Sequence, residues 1–116
     1  MERKIVRFEY EFDFWSPGHH DPDDGNANVW VYFDDGTRWC ATFYTYRNIE
    51  TLRIKFQNDG ECLNGKYFCA DHMILIDRLT KENVEVVINH LVDENRFEFY
   101  FELLQLTEED DDCMDD

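Results

Sequence analysis

Three groups of side chains in this sequence have the types and spacing that could do chemistry. The run His19-His20-Asp21-Pro22-Asp23-Asp24-Gly25-Asn26 gathers two imidazoles and three carboxylates, a donor set that a divalent metal could use. A calcium loop of the EF-hand kind needs glycine at its sixth position and glutamate at its twelfth. Counted from Asp21 those positions hold Asn26 and Tyr32, so the pattern fails. Cys69 and His72 have the two-residue gap of a zinc ligand pair, with Cys62 upstream. A structural zinc site needs two such pairs, and only one is present. Glu9, Glu11 and Asp13 could serve as acid–base carboxylates. Their strict alternation with apolar residues reads instead as the wet face of a strand.

No nucleophile–base–orienter set, phosphate loop or dinucleotide fingerprint accompanies these groups. The sequence is therefore read as non-catalytic, with no cofactor and no bound metal. A metal-dependent enzyme built on His19 and His20, or on Cys69 and His72, is the most remote alternative.

The elements that position these residues follow from periodicity. Residues 5 to 15 alternate, with Val6, Phe8, Tyr10, Phe12 and Phe14 on one face. Both prolines of the chain then mark a loop. Strands over 28 to 33 and 38 to 46 flank Asp35-Gly36, a hairpin signal, and both are apolar or aromatic on two sides. Asn48 is placed to cap a helix over roughly the next ten residues, with Ile49, Leu52 and Phe56 as its stripe and Gly60 as its left-handed stop. Lys66 to Asp77 reads as a strand around a doubly buried Met73-Ile74-Leu75-Ile76, interrupted by a bulge at Asp71-His72. Thr80 caps a helix from Lys81 to about Glu94, with Val84, Val87, Ile88 and Leu91 inward and Asn95 as its stop. Residues 96 to 104 alternate and read as a last strand, although Phe97 and Phe101 also suit a helix.

The order β-β-β-α-β-α-β makes one α+β domain over residues 1–106. Its sheet has about five strands, largely antiparallel, with two helices on one face, and the helix crossovers permit some parallel pairing. Residues 107–116 are read as a disordered acidic tail.

The charge narrows the partners. There are 27 acids against 11 Lys and Arg, a formal net charge of −16. Seven of the acids fall in the last ten residues, so the body alone still carries 20 acids against 11 bases. Such a field repels nucleic acid and anionic membrane and attracts basic proteins. Cys40, Cys62, Cys69 and Cys113 are scattered, and Met1-Glu2-Arg3-Lys4 leads into an alternating segment and not an apolar run. A cytoplasmic protein with reduced thiols, monomeric or homodimeric, is expected. The candidate partner-binding residues are Glu9, Glu11, Asp13, Asp21, Asp23, Asp24, Asp34 and Asp35 with the aromatic anchors Trp30, Tyr32 and Tyr44.

The run from Gly65 through Ile76, then Thr80 to Val84 and a helix to Leu91, resembles a pattern in small bacterial proteins, and Gly36 to Tyr46 fits it too. Proteins of this kind resemble the immunity proteins that accompany polymorphic or contact-dependent toxins. The likeness spans residues 29 to 104. It implies a small acidic cytoplasmic protein that blocks a basic toxin domain, often a nuclease. Contact residues diverge among such proteins, so the resemblance implies no binding residue. A nucleic-acid mimic, acting against a DNA- or RNA-binding protein, is the alternative.

Overall fold

A computed structural model describes residues 3–106, and the expected acidic tail lies outside the described residues. Five strands form one sheet: β1 (Ile5–Tyr10), β2 (Asn26–Phe33), β3 (Thr37–Thr45), β4 (Met73–Ile76) and β5 (Glu102–Leu106). β1, β2 and β3 pair antiparallel in sequence order. The far edge of β3 is shared by two strands. β4 runs parallel to its C-terminal half, and β5 runs antiparallel to its N-terminal half. The α+β class and strand order match the sequence reading, and the parallel pair is the one that follows the long crossover through α1 (Tyr46–Asp59).

Alternation on β2 and β3 sets the core. Ala27, Val29, Val31 and Phe33 of β2 and Trp39, Ala41 and Phe43 of β3 are buried on one face. α3 (Lys81–Asp93) brings Val84 and Ile88 onto them, and the short turn α4 (Phe97–Tyr100) brings Phe97. Thr80 caps α3 by accepting from the Asn83 amide at 3.1 Å, as its sequence position implies.

Several elements depart from the periodic reading. β1 stops at Tyr10, and Glu11–Phe14 coil into a 3-10 turn. A register shift between Ile5 and Arg7 turns Val6 outward, and the coil leaves Phe14 exposed, so these two leave the apolar face. α1 begins at Tyr46, two residues before Asn48, because Thr45 Oγ1 accepts from the Asn48 amide at 3.0 Å. Asn48 is instead a buried linker. Its Nδ2 donates to Asp24 at 2.9 Å and its Oδ1 accepts from Asn26 at 2.8 Å. The strand expected over 66 to 77 shrinks to Met73–Ile76 at a sheet edge, where only Ile76 is buried. Asp71 and His72 form a turn, His72 at φ 52°, in place of a bulge. Phe97 and Phe101, four apart, stack at 4.2 Å on the core, so helical spacing prevails over alternation and β5 starts only at Glu102.

The two longer helices do not share one face. Phe56 of α1 packs on Phe68 at 5.7 Å, and Phe68 packs on Tyr44 at 5.5 Å. Tyr44 points opposite to Phe43, so α1 covers one end of the face that α3 leaves open. Between them the turn α2 (Cys62–Gly65) runs left-handed, with φ of 52°, 52°, 60° and 81°.

Candidate functional site

Strand pairing turns one sheet face into an ordered array. Opposite the core, β1, β2, β3 and β5 place Glu9, Trp30, Cys40 and Glu102 in one cross-strand row. With strands about 4.8 Å apart, the two carboxylate positions lie about 14 Å from each other, with indole and thiol between. The next row holds Arg7, Tyr32 and Arg38. On the other side Asn28 and Thr42 pair, then Asn26 and Tyr44.

Hydrogen bonds fix these side chains. The Arg7 guanidinium carbon sits 3.9 Å from the Tyr32 ring centroid, and the Tyr32 hydroxyl donates to Glu9 Oε1 at 2.9 Å. The exposed Arg7 guanidinium is held protonated by Tyr32 first, with Glu9 adding to it. Thr42 Oγ1 donates to Asn28 Oδ1 at 2.6 Å. Burial pushes the Cys40 thiol up to about 11, and the Glu102 carboxylate adds to the effect, so Cys40 is a poor nucleophile at neutral pH. Guanidinium on ring beside carboxylate is thus already realised once within this face.

The eleven residues expected from sequence divide by position. Glu9, Trp30, Tyr32 and Tyr44 share the face, with Tyr44 under Phe68 at its covered end. Glu11 lies where β1 ends and accepts from the Asn28 amide at 2.8 Å. Asp13 turns to α3 and pairs with Lys81 at 3.0 Å. Asp21, Asp23 and Asp24 lie before β2, while Asp34 and Asp35 lie after it. Eight strand residues at about 3.3 Å each separate these clusters by roughly 25 Å, so they do not form one patch.

Most of these loop carboxylates serve the fold. Asp21 accepts from the Asp23 amide, and Asp23 pairs with Arg78 at 2.6 Å. Asp24 accepts from Asn48 and from Thr51, and these bonds hold its carboxyl below the usual range. Asp34 accepts from the Lys4 amide, and Asp35 accepts from Thr37. Arg7 alternates with the apolar residues of β1 and so reads as outward, whereas Cys40 sits in a strand that is apolar or aromatic on two sides and its facing is set by the β2–β3 register. Glu102 joins the row only through the β3–β5 register, which sequence spacing does not reveal.

The metal and nucleophile candidates are dispersed. His19 is exposed and contacts the Ser16 carbonyl at 3.2 Å. His20 donates from Nε2 to the Leu79 carbonyl at 2.9 Å and stacks on Phe12 at 4.1 Å. Cys69 is exposed, and His72 lies 4.0 Å from Glu102. Among the described residues no three His, Cys, Asp or Glu side chains converge to hold an ion. No described helix is long and apolar enough to cross a membrane.

No family model, curated protein or solved structure matches this chain.

Proposed function

We propose that this chain is a non-catalytic protein-binding domain, an inhibitor of the immunity-protein kind, whose open sheet face seats on a basic protein and occludes that protein's active site. The observation that carries this reading is the row Glu9–Trp30–Cys40–Glu102 on a sheet face that α3 does not cover. An indole between carboxylates suits a partner's arginine, which stacks on the ring and forms charge-assisted bonds beside it. The net charge of −16 steers a basic partner toward it, making association fast and salt-sensitive. A basic toxin domain, such as a nuclease, is the partner class this implies, and the cytoplasm is the compartment where an immunity protein meets it.

The alternative of a nucleic-acid mimic is less well supported. A phosphate-like surface needs rows of carboxylates of one sign, whereas Arg7 and Arg38 stand in the row next to Glu9 and Trp30. Affinity capture of the full chain from its native cell at low salt, with mass spectrometry of the bound proteins, tests the proposal. The expected result is one basic protein, retained by the wild type, lost with Trp30→Ala and inactivated in the complex. Capture of a nucleic-acid-binding repressor instead favours mimicry. A captured partner that keeps full activity contradicts occlusion.

A further inference from the structure

The β4 edge of the sheet lies apart from the aromatic face. Among the described residues β4 pairs with β3 alone. The Thr42 amide donates to the His72 carbonyl, and parallel pairing then engages alternate residues, Ile74 and Ile76. Met73 and Leu75 are left with their backbone N–H and C=O groups directed to the open edge. An unpaired edge of this kind is a template for an added strand.

Beside that edge runs a groove of about 310 Å³ between β4 and α3, lined by Met73, Ile74, Leu75, Val87, Leu91 and Tyr100 and by two further side chains, His90 and Arg96. Both can donate hydrogen bonds. Among the described residues no carboxylate lines the groove. Arg96 reaches the Tyr100 hydroxyl from Nη2 at 3.0 Å, which orients the guanidinium and leaves most of its N–H donors uncommitted. Backbone groups at the edge, an apolar channel and a guanidinium together match a C-terminal peptide segment. Its main chain would pair with Met73 and Leu75, its apolar last side chain would enter the channel, and its terminal carboxylate would meet Arg96.

We propose that the β4–α3 groove binds an extended peptide with an apolar C-terminal residue and a free terminal carboxylate, added as a strand to the β4 edge. This site is independent of the Trp30 face.

The test uses the full chain, labelled with nitrogen-15, and an N-acetylated hexapeptide of serine and threonine ending in leucine. The expected result is saturable amide shifts confined to residues 73–76, Val87, Leu91, Arg96 and Tyr100, with slowed hydrogen exchange at Met73 and Leu75. Amidating the peptide and Arg96→Gln each weaken binding about tenfold, the loss of one charge-assisted contact. Leu75→Pro removes an edge N–H that the β3 ladder does not use, and it abolishes exchange protection while circular dichroism stays native. The proposal is overturned if low-millimolar peptide gives no saturable shifts, or if the amidated peptide binds equally well. Decanoate reproducing all the shifts, with no exchange protection from the peptide, likewise overturns strand addition.

Discussion

Tyr10, the last residue of β1, donates its phenol proton to the Glu85 carboxylate on α3, so one bond ties the sheet's outer strand to the helix that covers its core. Lys81 lies over the same ring at 5.2 Å and pairs with Asp13 in the 3-10 turn. Replacing Tyr10 by Phe keeps the ring and removes the charge-assisted bond. We expect a loss of about 1–3 kcal/mol, read by urea denaturation. A variant as stable as the wild type would show that this tie contributes nothing.

Alkaline pH should weaken the fold in two stages. Burial pushes the Cys40 thiol from an ordinary 9.0 up to about 11, so the unfolded chain loses its proton first and stability falls between those values. Tyr10 is raised above its ordinary 10.0 by burial first and then by Glu85, which adds a second decline at higher pH. Both groups contribute fully below pH 9 and lose their contribution as pH rises. Cys40→Ser should flatten the curve between pH 9 and about 11, and Tyr10→Phe should flatten it above pH 10. Melting temperatures across this range check both.

At the acid end Asp24 has the opposite sign. Its carboxyl is held low by the Asn48 bond and then the Thr51 bond, so its contribution is present above the ordinary 3.8 and is lost as pH falls. Asp24→Ala leaves the buried Asn48 amide without that acceptor and should cost about 1–3 kcal/mol at pH 7. The same variant should show a shallower acid transition by circular dichroism.

Two glycines separate backbone strain from crowding. Both Gly36 and Gly65 have positive φ, at 87° and 81°. A Cβ at Gly36 meets nothing within 4 Å, whereas one at Gly65 would stand 2.7 Å from the Arg53 carbonyl. Gly36→Ala should therefore cost about 1 kcal/mol, the conformational part alone. Gly65→Ala should cost at least about 2 kcal/mol more, because α2 must move off α1. Equal losses in thermal melts would refute the close approach.

The sequence carried the parts of this fold that depend on local rules. The Thr80 cap, the Gly36 turn, the Gly60 and Asn95 stops and the alternation of β2 and β3 all obey neighbours within a few positions. Where a residue's partner is distant, local reading gave a different answer. Asn48 looked like a cap and is a buried bridge to Asn26 and Asp24, across a loop closed by tertiary contacts. Alternation puts Phe97, Phe99, Phe101 and Leu103 on one face, yet only Phe97 and Phe101 reach the core, where Phe33, Trp39 and Phe43 offer rings, while Phe99 and Leu103 are exposed. Of the candidate site, Glu9, Trp30 and Tyr32 were legible as outward positions. Their row with Glu102, and the distance from the Asp21–Asp24 loop to Asp34 and Asp35, depend on register and strand length.

The most direct measurement is the affinity of the captured basic partner for the full chain and for Trp30→Ala, Glu9→Gln and Val86→Ala. Trp30 and Glu9 lie on the open face, and Val86 is exposed on α3 across the sheet. Trp30→Ala, which removes a central aromatic anchor, should lose at least about thirtyfold in affinity, Glu9→Gln a smaller and salt-dependent amount, and Val86→Ala nothing. Undiminished binding by folded Trp30→Ala would contradict the claim that this face is where the partner sits.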